Sequence, residues 1–159
     1  MSKTKIAKFI VSILICQAAG LLGSLFTAPS ISTWYAGISK PAFNPPNWIF
    51  APVWTTLFIL MGISLFLIWE RGITKKENKT AVFAFGVQLF LNIVWSVLFF
   101  GLQNPFFAVI EIVLLWIAIA ATIILFYRIS KTASYLLIPY ILWVSFAAFL
   151  NYNIWILNL

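Results

Sequence analysis

Apolar positions dominate this chain in five stretches, at about 6–28, 47–69, 81–101, 105–127 and 133–156, separated by short segments that carry four of its seven prolines and most of its charges. A membrane-spanning helix needs ~20 mainly apolar residues, since hydrocarbon offers no partner to an unpaired backbone N–H or C=O. The pattern therefore predicts an all-α integral membrane protein, a five-transmembrane-helix bundle occupying 1–159 as one domain. Asn104-Pro105 reads as an N-cap followed by proline at the first helical position, and Asn47 after Pro45-Pro46 reads as the cap of the second helix. Gly101 to Asn104 is short enough to make the third and fourth helices antiparallel neighbours. The segment 70–80 reads as a longer, charged and mobile connection, and 29–44, with Trp34 and Tyr35, is the longest connection and the candidate lid.

Within the spans the few polar positions recur at helical spacing. Gln88, Asn92, Trp95 and Phe99 share one face of the third helix, and Trp143, Phe146, Ala147, Leu150 and Asn151 share one face of the fifth, which Trp155 continues. Thr55, Thr56 and Ser64 lie in the second helix and Glu111 lies two turns into the fourth. In the first helix, Ala19 with Gly23 and Gly20 with Ser24 form small-xxx-small pairs, which let helices approach closely, inside the bundle or at a dimer seam.

Composition agrees with the pattern. With 64% hydrophobic and 8% charged residues, the chain has too little polar surface to cover a water-soluble globule. The net charge of +7 does not mark a nucleic-acid partner, because the ten basic residues flank the spans and form no basic stripe. Nine of them, Lys3, Lys5, Lys8, Arg71, Lys75, Lys76, Lys79, Arg128 and Lys131, fall on one side of the five spans, and Lys40 falls on the other. The positive-inside rule then expects a plasma-membrane protein of bacterial type with a cytoplasmic N-terminus and an outside C-terminus. The first stretch is too long for a signal-peptide core, and Phe26-Thr27-Ala28 lacks a small-x-small cleavage site. A single cysteine, Cys16, and no histidine argue against a disulfide framework, a metal site or conventional nucleophilic catalysis.

The segment Lys40 to Trp54 concentrates four prolines and two tryptophans at the start of the second span. Proline fixes φ and removes a donor, so this is a stiff, non-repeating wall carrying flat indole faces. By the charge-derived topology, Trp48, Trp54, Trp95, Phe99, Glu111, Leu150 and Asn151 all lie in the outer half of the bilayer, beneath the candidate lid. Such a constellation suits a large, flat, mostly apolar ligand with a few polar substituents. Two readings stand for several members: Trp34, Trp69, Trp116 and Trp155 fit an interfacial belt as well as a wall. Trp54, Trp95 and Trp143 fit core packing as well as a pocket, and Asn92 and Asn151 fit helix-to-helix hydrogen bonds as well as ligand contacts. Glu111 is the sharpest pointer, because a lone acid in hydrocarbon is costly; it is protonated, bonded to a neighbouring helix or exposed to a wet cavity.

Several strings resemble a known family. Trp48-x-Phe50-x-Pro52-Val53-Trp54-Thr55, with Met61-Gly62 and Trp69, resembles the second helix of the TspO/MBR family of bacterial tryptophan-rich sensory proteins and mitochondrial translocator (peripheral-type benzodiazepine receptor) proteins. Gln88-Leu-x-Leu-Asn92-x-x-Trp95-Ser96-x-x-Phe99-Phe100-Gly101 resembles its third helix, Pro105 through Ala108 to Glu111 its fourth, and Trp143-x-x-Phe146-Ala147-x-x-Leu150-Asn151 with Ile154-Trp155 its fifth. The resemblance implies a homodimer in membrane lipid, with a pocket under the loop between the first two helices. It implies a receptor or sensor for tetrapyrroles such as protoporphyrin IX, as ligand and not obligatory cofactor, and for isoquinoline carboxamide or benzodiazepine drugs. The matching pocket positions are Tyr35, Pro45, Trp48, Trp54, Asn92, Trp95, Trp143, Phe146, Ala147 and Leu150; Phe99, Glu111 and Asn151 join them from the depth argument. It implies as an alternative an enzyme for light- and oxygen-dependent breakdown of protoporphyrin, with Trp54 and Trp143 as the catalytic pair. A tetrapyrrole or sterol transporter coupled through Glu111 is a third, weaker reading, since no inverted repeat is visible. The family's sterol pattern at the end of the fifth helix is incomplete here: Leu150 and Tyr152 are present, but no basic residue follows. Leu125-x-Tyr127-x-x-x-Lys131 meets the same loose pattern at the other end of the bundle.

Overall fold

The apolar stretches fold as helices that overrun their expected ends. In the computed structural model, which describes residues 2–159, α1 is Lys3–Ile31, α2 the single turn Trp34–Gly37, α3 Phe50–Glu70, α4 Lys76–Ser96, α5 Pro105–Ile129, α6 Lys131–Tyr135 and α7 Ile138–Leu157. A 3-10 turn, Asn47–Ile49, leads into α3, and a π turn, Val97–Gly101, closes α4. There is no strand among the described residues. Five helical segments, Lys3–Ile31, Asn47–Glu70, Lys76–Gly101, Pro105–Ile129 and Lys131–Leu157, are long and apolar enough to cross a membrane. The chain is thus an all-α, multi-pass membrane protein.

The departures from expectation have local causes. Ser2 caps α1 by accepting from the Lys5 N–H at 3.3 Å, and the helix runs on through Pro29, whose carbonyl accepts from the Thr33 hydroxyl at 2.8 Å. The candidate lid is correspondingly shorter than 29–44. Asn47 does not cap α3 through its side chain; it opens the 3-10 turn instead. Asn104 does cap α5, accepting from the Phe107 N–H at 3.1 Å. The connection 70–80 shrinks to Arg71–Lys75, since α4 already begins at Lys76. Gly72 turns it with φ 85°, a conformation that suits glycine, and the Asn78 amide donates to the Arg71 and Gly72 carbonyls. The fifth span is broken before Pro139, which sits in the first turn of α7.

The helices form a ring: α3 packs on α1, α1 on α4, α4 on α5, α5 on α6 and α7, and α6 on α3, while α3 and α7 meet only slightly. At the basic end, Lys8 Nζ lies 3.1 Å and Lys5 Nζ 3.6 Å from the Glu70 carboxylate, and the Ser64 hydroxyl donates to the Ala133 carbonyl at 2.7 Å. This half is filled by close packing, with Phe85 stacked on Phe126 (5.7 Å, 9°) among Met61, Leu115 and Ile119. The small residues of α1 serve packing within the chain. A Cβ on Gly20 would lie 2.6 Å from the Phe58 ring and one on Gly23 would lie 3.0 Å from Ser96 Oγ, while facing them Gly62 of α3 lies against the Ile13 backbone.

Candidate functional site

At the opposite end, which carries α2, the ring is not filled, and a cavity of about 300 Å³ lies between α1, α3, α4 and α7. Three indoles line it, Trp54 from α3, Trp95 from α4 and Trp143 from α7. Each is held from behind. Trp54 stacks on Phe58 (5.6 Å, 30°) and meets the edge of Tyr140 (6.3 Å); Trp95 stacks on Phe99 (5.2 Å, 17°); Trp143 packs on Phe50 (6.2 Å) and Phe146 (5.5 Å). Rings fixed in this way present flat faces without a further loss of rotamer freedom on binding.

The polar groups of the wall are tied to one another. Asn151 accepts from the Trp95 indole N–H at 3.0 Å and donates to the Pro105 carbonyl at 3.0 Å, joining α4, α7 and the start of α5. The Asn92 amide donates to the Tyr140 hydroxyl at 3.0 Å. Both asparagines therefore bind helix to helix and also line the cavity. Tyr140→Phe leaves the Asn92 amide without this acceptor, and burial of an unsatisfied amide costs about 1–3 kcal/mol. Its melting temperature in detergent is expected to fall by several degrees; an unchanged value would show that the bond carries no stability.

The roof is α2 and the segment after it. Tyr35 is buried, its ring tilted against Phe99 (6.2 Å) and Phe100 (5.7 Å), and its hydroxyl donates to Asn44 Oδ1 at 2.6 Å. Burial pushes this phenol up to about 12, against the lowering pull of the Asn44 bond, so it remains a donor at neutral pH. Lys40 Nζ donates to the carbonyls of Tyr35 (2.6 Å), Ile38 (2.9 Å) and Ala36 (3.4 Å), neutralising the end of α2. Ser39 and Asn158 exchange two hydrogen bonds of 2.9 Å, which strap the roof to the end of α7.

Of the residues singled out from sequence, Tyr35, Trp54, Asn92, Trp95, Phe99, Trp143, Ala147, Leu150 and Asn151 line this one cavity. Pro45, Trp48, Phe146 and Glu111 do not. Trp48, in the 3-10 turn, is 73% exposed, and Phe146 packs against Trp143 (5.5 Å) and Phe43 (6.4 Å). Glu111 is buried on the packed face of α5, and neither of its oxygens has a hydrogen-bond partner among the described residues; Gln88, on the Asn92 face, is likewise buried and unpartnered. Trp34 meets Phe99 edge-on (5.5 Å) and so belongs to the roof packing, while Trp116 donates to Ser145 Oγ at 2.8 Å and joins α5 to α7. Spacing missed the wall from α1, where Gly20, Gly23, Ser24 and Thr27 line the cavity; their four-residue repeat signals it only once the neighbour is known. Phe50 and Phe58 repeat at four residues on either side of Trp54, and Ser96 follows Asn92 by four, signals that the helical period does contain.

A five-span helical bundle with an aromatic cavity under a strapped roof is the class that fold and site define. The chain belongs to the TspO/MBR family, whose profile matches residues 12–156. It is 50% identical to the tryptophan-rich protein TspO of Archaeoglobus fulgidus over 96% of this chain and 98% of that protein. It is 39% identical to the translocator protein of Homo sapiens over 84% of this chain and 80% of that protein, and 30% identical to the tryptophan-rich sensory protein of Cereibacter sphaeroides over 96% and 92%.

Proposed function

We propose that this chain is a membrane receptor or sensor that holds a flat tetrapyrrole, protoporphyrin IX or a close relative, in the aromatic cavity, and accepts isoquinoline carboxamide or benzodiazepine-type drugs there. The observation that carries this reading is the convergence of Trp54, Trp95 and Trp143 from three helices on one roofed cavity. Braced indole faces stack on a planar π-system, and the Asn92 amide oxygen, which takes no part in the bond to Tyr140, offers an orienting hydrogen bond. The names of the relatives, a sensory protein and translocator proteins, support the receptor class. The basic end faces the cytoplasm in this reading, which puts the cavity in the outer leaflet.

Titration of the purified protein with protoporphyrin IX is expected to quench its tryptophan fluorescence to saturation, with a weaker response in Trp95→Phe. Fluorescence that is equally unaffected in wild type and variant would remove the proposal. A second reading, light- and oxygen-dependent breakdown of the bound porphyrin, is favoured by one feature: Trp54 and Trp143 line the same space from α3 and α7, where both can reach one excited macrocycle as electron donors. Under illumination in air, porphyrin absorbance should then decay to a defined product more slowly in Trp143→Phe.

A further inference from the structure

We infer that the working mouth of the cavity is a side opening between α1 and α3, and that its ligand, a flat aromatic ring system dissolved in lipid, enters from the bilayer and not through the roof. This rests on the receptor reading above and adds the route and the state in which the ligand is recognised.

The argument starts from which wall residues are accessible. The lining contributed by α4 and α7 is buried or half-buried, whereas Leu21, Ser24 and Ala28 of α1, Asn47 of the 3-10 turn before α3, and Ala51 and Thr55 of α3 line the cavity and are also exposed, Leu21 by 67%. A residue that both lines a cavity and faces outward marks the place where that cavity is open. All six lie on the two facing membrane-spanning segments, Lys3–Ile31 and Asn47–Glu70.

The same two helices are locked together on the other side of this gap. Gly62 packs on the Ile13 backbone, where an added Cβ would lie 2.8 Å from Ile13 Cα, and Gly20 packs on the Phe58 ring. The Gln17 amide donates to the Thr55 carbonyl at 3.1 Å and forms the sill. Beyond the sill, Leu21 apart, the exposed lining of α1 and α3 is of small side chains, Ser24, Ala28, Ala51 and Thr55. Their hydroxyls are turned back onto their own helices, Ser24 to the Leu21 carbonyl (2.7 Å), Thr27 to Gly23 (3.2 Å) and Thr55 to Ala51 (2.9 Å). A frame whose donors are already used presents carbon to whatever passes, which suits lipid and an apolar ring and needs no water.

The roof has the opposite character. It is held by the Tyr35–Asn44 bond, by Lys40 on three carbonyls, by the Ser39–Asn158 pair and by Phe43 stacked on Phe149 (5.2 Å, 18°). Passage there requires several of these to break together, whereas the side opening requires none. No charged side chain lines the cavity among the described residues, so it offers no counter-charge to a carboxylate and suits the uncharged ring system of the ligand.

The test locks the opening reversibly. Leu21→Cys with Ala51→Cys, in a Cys16→Ala background, is reconstituted in phosphatidylcholine vesicles and bridged with a reducible bis-methanethiosulfonate reagent; Ser24→Cys with Thr55→Cys replaces the pair if the first protein does not fold. Protoporphyrin IX is delivered from loaded phosphatidylcholine vesicles and read by tryptophan quenching. Bridging is expected to slow uptake and release by about tenfold or more, and reductant to restore both. A bridge across the roof, between Ser39→Cys and Asn158→Cys, is expected to change the rates by less than about twofold. Equal rates in bridged and reduced protein with full quenching, or rates slowed by the roof bridge instead, overturn the side opening and leave the receptor reading intact. Absence of quenching in wild type and reduced variants alike overturns both.

Discussion

Gly62→Leu is expected to be the most damaging single substitution in the bundle. A Cβ at this position would lie 2.8 Å from Ile13 Cα and 3.1 Å from the Ser12 carbonyl oxygen, so the obstacle is backbone and cannot rotate aside. Overpacking of a fitted core costs ~1–3 kcal/mol and occasionally more, and separation of α1 from α3 puts this case at or beyond the upper end. Loss of monodisperse protein in detergent, or a melting temperature lowered by ten degrees or so, is the expected result. Gly86→Ala is the matched control. Nothing lies within 4 Å of a Cβ there, and replacing a helical glycine by alanine is worth about 0.5–1 kcal/mol in the stabilising direction. If Gly62→Leu melted like wild type, the close approach of α1 and α3 would be wrong, and with it the sill below the proposed opening.

The second large effect concerns ligand affinity. Trp54→Ala and Trp143→Ala each remove an indole face from the cavity and loosen the rings that brace it, Phe58 and Tyr140 in one case and Phe50 and Phe146 in the other. Truncation of a buried aromatic anchor costs about 2 kcal/mol or more, which corresponds to a loss of roughly 30-fold in affinity for protoporphyrin IX. Trp54→Phe keeps a ring against Phe58 and is expected to retain most of the binding. Titrations followed by porphyrin absorbance, which does not depend on the deleted fluorophore, measure both. Affinities of the two alanine variants within about threefold of wild type would mean that the ligand sits elsewhere. Trp116→Ala offers the comparison: it severs the bond to Ser145 at 2.8 Å, outside the cavity, so its effect should be on stability and not on affinity.

How legible the site was depends on the residue. Asn92, Trp95 and Phe99, and Trp143, Ala147, Leu150 and Asn151, come together on one cavity because a straight helix carries every third or fourth residue on one face. Phe146 shares that logic and still misses the cavity, as does Trp48, which depth and resemblance place there. Trp48 lies in the 3-10 turn Asn47–Ile49 and is 73% exposed, while Phe146 packs against Trp143 and Phe43. Glu111 drew attention as the sole acid within a span, yet it packs against the helical core. Cost in hydrocarbon identifies an unusual residue without saying which space it faces.

The sequence by itself determined the class of architecture. Five apolar stretches of spanning length, charges at their ends and a helical period within them leave little choice, since backbone groups in lipid must pair within each segment and every segment is therefore a helix. It also carried the identities of the residues along each helix face. Only the tertiary structure decided which faces meet: that α1 and α3 close on glycine, that the small residues of α1 form a cavity wall and pack within the chain, and that the roof is strapped by Asn158, 119 residues from its partner Ser39. Those outcomes depend on distances between helices, and the period along one helix holds no information about its neighbour.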